Sequence, residues 1–344
     1  MSRDALKERI VSATIKQVSS GGAVFLEDRP CRGFISTRDV NLDYNIGRPG
    51  IPLGRVTEIT GTSGSGKSML CCHLIGECQK AGGVALLLDT ERSYDPGWAT
   101  KMGVDAVNLI DPVEYLVDQN DMGVLTLEDS LMFIEDTLDS IDDDQEIPVI
   151  IVVDSLSALP TRADMDSDYT QGQPARHAAI MSMAMRKLPE KVFNKKVALV
   201  IVGQLRDTIM QFGAPDTTIG GKAVGYHAAL QIKMRRTGFV EEKHKTVGFK
   251  TEAKITKNKL GGIPFVKVPL TFYLDRGIDP VMSTFELALD MGLIKQAKKG
   301  WYQFAEGSKN FRDSSWPIVA TAEVLDNLRR LAFPEEGSVE GAGV

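Results

Sequence analysis

Residues 56–68 read VTEITGTSGSGKS, five residues of strand character followed by a glycine-rich turn that Lys67 and Ser68 close. The part GTSGSGKS (61–68) fits G-x-x-x-x-G-K-[ST] at every position. The pattern carries chemistry only between a strand and a helix, and the flanks supply both expectations. VTEIT reads as the strand, and Ser68 to Lys80 as the helix. Gly61, Gly64 and Gly66, with Ser63 and Ser65 between them, let backbone N–H groups wrap an anionic phosphate. The helix N-terminus adds its partial positive charge. Lys67 is then placed to reach the β- and γ-phosphates of a nucleotide, and Ser68 to hold Mg²⁺.

Strands and helices alternate beyond this turn. VALLLD (84–89) is expected as a strand bounded by Gly82 and Gly83. TLEDSLMFIEDTLDSI opens with a capping-box pattern at Thr126 and Asp129, and Leu127, Leu131, Ile134, Leu138 and Ile141 fall at helical spacing. PVIIVVD (148–154) is a continuous apolar strand, Ala178 to Leu188 a helix, and VALVIV (197–202) a further strand. Strands buried on both faces and separated by helices indicate an α/β fold with a mostly parallel central sheet. Near residue 275 the texture changes. FELALDMGLI, WYQF and TAEVLDNLRRLAF predict a small α+β appendage, and PEEGSVEGAGV a polar, disordered tail.

Three positions beside the phosphate turn are candidates for chemistry. Asp154 ends an apolar strand where a carboxylate faces the nucleotide crevice and orients Mg²⁺ through water. LLLDTER (86–92) ends another strand with Asp89 and Glu91, either of which can orient or deprotonate an attacking water. Gln204 ends the VALVIV strand, and a neutral amide there both donates and accepts, so it can report a γ-phosphate. It also opens GQLRDTIMQFGAPDTTIGGKA (203–223), a loop of about twenty residues, a length that in a compact domain is usually functional or disordered.

The 344 residues are 25% charged and 43% hydrophobic, with net charge −6, as for a globular protein. A polycation is excluded, so any nucleic-acid site is local. Residues 222–259 supply it, with ten Lys or Arg against three Glu. Phosphate contact and a solvated strand face both explain that asymmetry. In the loop, Arg206 and Lys222 add charge, and Gly220 and Gly221 allow close backbone approach. Phe212 can stack on bases or pack on a neighbouring subunit. The four cysteines, Cys31, Cys71, Cys72 and Cys78, form no CxxC pair and read as small buried hydrophobes of a reducing compartment. The N-terminus MSRDALKERIVSATIKQ lacks a secretory h-region and is expected as a helical arm. No apolar run reaches the roughly 20 residues of a membrane span.

Further stretches complete a pattern. ISTRDVNLDYNIGRPGIPLGRVTEITG, TERSYDPGWATKMGVD, IIVVDSLSALP, MAMRKLP, FGAPDTTIGGKA and TKNKL occur in the order and spacing of the RecA family of homologous-recombination ATPases, phage members of UvsX type included. The chain resembles that family from about residue 35 to 280, with a weaker trace to 303. The resemblance implies a RecA-like P-loop ATPase core over 35–275, an N-terminal oligomerisation arm over 1–34 and a small C-terminal domain over 276–333. It implies a cytoplasmic, ATP- and Mg²⁺-dependent recombinase that forms helical filaments on single-stranded DNA and pairs it with homologous double-stranded DNA. A loading mediator and a single-strand-binding protein are the further partners implied.

The resemblance also carries roles, residue by residue. Glu91 matches the glutamate that activates water, in preference to Asp89. Asp95 and Trp98 match residues that contact adenine, Trp98 standing where a tyrosine is usual. Gln204 matches the glutamine that couples γ-phosphate to DNA. The stretches 160–177, with Arg176, and 205–225 match the two DNA-binding loops. Lys257 and Lys259 match lysines that reach the adjacent subunit's nucleotide, and Tyr226 an aromatic residue of the subunit interface. The first loop, TRADMDSDYTQGQPARHAA, departs from the bacterial pattern, as does Asp207. A ring-forming helicase and a non-catalytic recombination mediator are the rival readings, and the intact set Lys67, Glu91, Asp154, Lys257 and Lys259 argues against the mediator.

Overall fold

The computed structural model describes residues 32–120, 123–165, 174–206, 217–218, 223–305, 307 and 309–334. The expected N-terminal helix, Cys31 and the polar tail from residue 335 lie outside them. The chain divides into two units, residues 1–32 and 33–344, and the elements that follow belong to the second.

β1 (Phe34–Ile35) pairs antiparallel with β2 (Ile51–Pro52). The main sheet comprises β3 (Arg55–Gly61), β4 (Val84–Asp89), β5 (Leu109–Ile110), β6 (Val149–Asp154), β7 (Val197–Arg206), β8 (Thr217–Thr218), β9 (Leu230–Glu242), β10 (Lys245–Asn258), β11 (Lys267–Tyr273) and β12 (Gly277–Ile278). Its order is β12-β11-β10-β9-β3-β7-β6-β4-β5, with β8 hydrogen-bonded to β7. From β9 to β5 every neighbour is parallel, and β10 to β12 extend the sheet antiparallel. This is the α/β fold with a mostly parallel sheet that the alternation of strands and helices predicts.

Period-two alternation sends successive strand residues to opposite faces, and each face buries its own core. Ile59, Leu87, Val152 and Val200 pack with Leu70, Leu74 and Cys71 of the helix Lys67–Lys80. Val56, Leu86, Leu88, Ile151 and Leu199 pack with Leu127, Leu131, Ile134 and Leu138 of the helix Leu127–Asp139 and with Met181, Met185 and Leu188 of the helix Pro174–Phe193. Such fully buried side chains each contribute about 1.5–3 kcal/mol relative to exposure. Thr126 and Asp129 form the expected capping box. Cys71, Cys72 and Cys78 are buried free thiols whose pKa values burial pushes up, as the hydrophobe reading requires.

Several boundaries differ from expectation. The helix expected over 178–188 runs from Pro174 to Phe193, with Pro189 inside it. Arg176 and His177 therefore lie on a helix rather than in a loop. VALVIV continues through Arg206, because Leu205 and Arg206 pair antiparallel with Thr218 and Thr217. Gln204 consequently sits inside the strand, two residues before its end. Residues 223–227 form a short helix, Ala223–His227, so the long connection narrows from both sides. Residues 207–216 and 219–222, including Phe212, Gly220, Gly221 and Lys222, lie outside the described residues.

Beyond residue 280 a third apolar cluster gathers Leu287, Ile294, Phe311, Trp316 and Leu328. It joins the helix Thr284–Asp290, the hairpin of β13 (Ile294–Lys298) and β14 (Trp301–Phe304), and the helix Ala322–Ala332. Among the described residues, no helix is long and apolar enough to cross a membrane.

Candidate nucleotide and DNA site

Parallel strands end at one edge of a sheet, and here that edge collects the candidates. The register places Gly61 beside Gln204 and Asp89 beside Asp154. Between them the phosphate turn folds back over the start of the helix Lys67–Lys80. Gly64 and Gly66 have φ of 68° and 95°, the left-handed region glycine adopts without strain. A Cβ on Gly61 would lie 2.4 Å from the Met234 carbonyl. Ser65 Oγ is buried without a hydrogen-bond partner. A glycine cradle with an orphaned buried hydroxyl fits a phosphate that accepts hydrogen bonds.

Lys67, 8% exposed, donates to the carbonyls of Gly61 and Thr62, both at 3.1 Å. Burial pulls its pKa down, while Asp154 and Glu91 oppose the shift. Ser68 Oγ donates to Asp154 Oδ2 at 2.8 Å. Asp154 is 3% exposed, and burial raises its pKa against the Ser68 hydrogen bond. A hydroxyl and a buried carboxylate in contact at the turn are oxygen ligands of the kind Mg²⁺ takes, directly or through water.

Glu91 follows β4 and is exposed. Gln204 Nε2 donates to its Oε1 at 2.6 Å, and Ser155 Oγ donates to the same oxygen at 3.2 Å. Asp89, in contrast, is 4% exposed and spends Oδ2 on the Tyr94 backbone N–H at 2.9 Å. The geometry thus gives Asp89 a structural task and leaves Glu91 at the cleft.

A cavity of about 420 Å³ opens from the turn, lined by Gly64 to Met69, Trp98, and Arg236, Phe239, Phe249 and Leu274 from the β9–β11 side. Trp98 forms one wall. Asp95 accepts the Trp98 backbone N–H at 2.7 Å and so caps the helix Pro96–Lys101. Ser63 lies in the turn but does not line the cavity. The opposite wall was not legible in the sequence. Arg236 reaches to about 3.1 Å of the position a Cβ on Gly64 would take, and its guanidinium lies 4.9 Å from the Phe239 ring centroid. Phe249 stacks on Phe272 at 5.2 Å. Tyr94, likewise absent from the motif reading, donates its hydroxyl to Asp154 Oδ2 at 3.1 Å.

Lys257 and Lys259 stand at the end of β10, away from the turn. Lys257 Nζ donates to the Gly225 and Tyr226 carbonyls, each at 2.8 Å. Burial lowers its pKa, Lys259 lowers it further, and Glu58 opposes. Glu58, buried at 4% exposure, accepts from Gln231 Nε2 at 2.5 Å, and burial raises its pKa. Lys259 is exposed, and Tyr226 is 71% exposed. Arg176 is exposed on its helix; the Arg206 backbone ends β7.

The basic segment resolves into the β9–β10 hairpin. Lys233, Lys254 and Lys267 stand directly opposite one another on three adjacent strands. Like charges so placed are destabilising. Glu252 offsets part of this through Arg235 at 3.5 Å and Lys267 at 3.2 Å.

The model of the RecA N-terminal domain matches residues 9–279. Protein RecA of Chlorobium limicola is 32% identical to this chain, the match covering 88% of this chain and 81% of the relative. Protein RecA of Aquifex pyrophilus is 35% identical, covering 89% and 84%. Protein RecA of Caulobacter sp. is 34% identical, covering 81% and 75%. With the phosphate turn, the two carboxylates and the strand glutamine gathered at one edge of a mostly parallel sheet, these matches show that the chain belongs to the RecA family.

Proposed function

We propose that the chain is a DNA-dependent ATPase that polymerises on single-stranded DNA and exchanges strands with homologous double-stranded DNA. The observation that carries the proposal is the 2.6 Å hydrogen bond from Gln204 to Glu91. Gln204 lies on the strand that runs into residues 207–222, and Glu91 lies at the phosphate edge. One side chain therefore touches the candidate base and stands one residue before the candidate DNA segment.

In this reading the backbone of Gly61 to Gly66 and Lys67 hold the ATP phosphates, and Trp98 and Asp95 hold the adenine. Ser68 and Asp154 hold Mg²⁺, which when bound neutralises phosphate charge. Glu91 takes a proton from the attacking water. Gln204 exchanges Glu91 for the γ-phosphate, and with that exchange the segment carrying Arg206, Phe212, Gly220, Gly221 and Lys222 engages DNA. Arg176 adds a contact from its helix. Lys257 and Lys259 act on the neighbouring protomer's nucleotide, so hydrolysis follows assembly, and Tyr226 packs in the contact between protomers. The row Lys233, Lys254 and Lys267, of which Glu252 pairs with Lys267, is read here as a phosphate-contact surface. Residues 1–34 serve as the arm that docks on the neighbour, and residues 276–333 as the small C-terminal domain. A loading mediator and a single-strand-binding protein are the accessory partners, and the cytoplasm is the compartment.

The test is ATP hydrolysis with and without single-stranded DNA, with electron microscopy of the same samples. Strong stimulation with regular DNA-bound filaments supports the recombinase. Stimulation with closed rings replaces it with a helicase. Absence of both stimulation and filaments overturns the recombinase and favours the mediator.

A further inference from the structure

Tyr94 touches both ends of the nucleotide cleft. Its hydroxyl donates to Asp154 Oδ2 at 3.1 Å, the same oxygen that accepts Ser68 Oγ at 2.8 Å. Its ring meets the Trp98 indole edge to face, with centroids 5.8 Å apart and planes at 69°. Its backbone N–H donates to Asp89 Oδ2 at 2.9 Å, and Ser93 Oγ donates to the other Asp89 oxygen at 3.4 Å. The next residue, Asp95, caps the helix that carries Trp98. Tyr94 is therefore held at three points, its backbone by buried Asp89 and its side chain by Asp154 and Trp98.

The chemistry at the hydroxyl is also defined. An ordinary phenol, with a pKa of about 10, is protonated at neutral pH. The phenol keeps its proton and faces the carboxylate as a donor. Two donors on one oxygen fix the plane of the Asp154 carboxylate and direct its remaining acceptor capacity through the other oxygen. Groups that orient a metal-side carboxylate in this way tune metal affinity without touching the metal.

We propose that Tyr94 is a positioning residue that ties the base-stacking wall at Trp98 to the magnesium-side carboxylate Asp154. The inference rests on the nucleotide-site reading above. A base seated on Trp98 fixes the indole, the indole fixes the edge of the Tyr94 ring, and the ring sets the hydroxyl on Asp154. Occupancy at the base end is thereby felt at the metal end, about the length of one phenol away. The chain selects its nucleotide partly through the Mg²⁺ concentration needed to hold it, in addition to direct affinity for the base.

The experiment titrates Mg²⁺ into full-length protein with N-methylanthraniloyl-ATP and follows the fluorescence of the bound label. Tyr94→Phe keeps the ring and removes the donor. Its Mg²⁺ midpoint is expected to rise on the order of tenfold, while label affinity in EDTA stays unchanged. Trp98→Leu is expected to weaken binding in EDTA and to move the Mg²⁺ midpoint in the same direction. A merely structural role for Tyr94 would lower both affinities together. Identical wild-type and Tyr94→Phe midpoints overturn the proposal alone. An unmoved midpoint in Trp98→Leu overturns the coupling, and that variant carries the test should Tyr94→Phe fail to fold. Absence of Mg²⁺-dependent binding in the wild type overturns the nucleotide-site reading and this proposal with it.

Discussion

Gln204→Ala removes one hydrogen bond and tests the link between the phosphate edge and DNA. Gln204 Nε2 donates to Glu91 Oε1 at 2.6 Å, and Ser155 Oγ adds a second donor at 3.2 Å. Both donors occupy the same carboxylate oxygen. A hydrogen bond to a charged group contributes about 1.5–3 kcal/mol, and exposure at Glu91 selects the lower end. About 1.5 kcal/mol corresponds to roughly tenfold in rate. Without DNA, hydrolysis by Gln204→Ala is expected to be unchanged or to rise by up to about tenfold, because Glu91 is released. With DNA, the variant has no amide to exchange onto the γ-phosphate, so no further acceleration follows. The ratio of stimulated to basal rate is thus expected to fall on the order of tenfold or more. The assay is steady-state phosphate release at saturating ATP, with and without single-stranded DNA, and circular dichroism to check folding. A stimulation ratio equal to that of wild type would refute the argument, because Gln204 would then be only a satisfied polar strand residue.

Three other outcomes are expected. Glu91→Gln retains ATP and DNA binding but hydrolyses at least about a hundredfold more slowly, the usual scale for losing a general base; rapid turnover in a phosphate-release assay removes Glu91 from that role. Lys257→Ala loses DNA-stimulated hydrolysis while the melting curve shows a folded chain, and it also frees the Gly225 and Tyr226 carbonyls; normal stimulation would show that Lys257 serves only the end of the helix Ala223–His227. Asp39 provides a pH prediction. It is fully buried, caps the helix Val40–Ile46 and accepts from Ser283 Oγ, and burial raises its pKa to about 7 from 3.8. A raised acid favours the folded state in its protonated form. That stability is fully present below pH 3.8 and is lost as pH rises to about 7. Asp39→Asn keeps a capping oxygen and escapes the loss, so its melting temperature relative to wild type should climb between pH 5 and 8. A constant difference across that range would show that Asp39 does not titrate there.

The phosphate turn was legible because its motif needs a strand and a helix, and both flanks have unambiguous patterns. The central strands were legible for a related reason, since VALVIV has no polar residue and VIIVVD none before Asp154. The β9–β10 hairpin was hidden. Its strands have 13 and 14 residues, but register shifts at Thr246/Gly248, Lys250/Thr251 and Ile255/Lys257 break the period-two pattern. Its turn places Lys243 and His244 at positive φ, where Asn-Gly is the recognisable signal. The cavity wall of Arg236, Phe239 and Phe249 was hidden with it. Pro189 shortened the expected helix, since proline ordinarily ends one. Tyr94 gave no signal because its partners, Trp98 and Asp154, come close only after β4 and β6 align.

The phosphate turn, Asp154, Glu91 and Gln204 share the edge at which the parallel strands finish. The other edge carries the turns at Gly82–Gly83, residues 142–148 and residues 194–196, and the exposed side chains of Asp142, Asp143 and Asp144 decorate it. That side of the molecule is an address for engineering. A fluorophore, a surface tether or a new pair of chain ends placed near residue 143 would sit a full strand length from Lys67 and Glu91. It would make the chain visible or immobile without entering the nucleotide cleft.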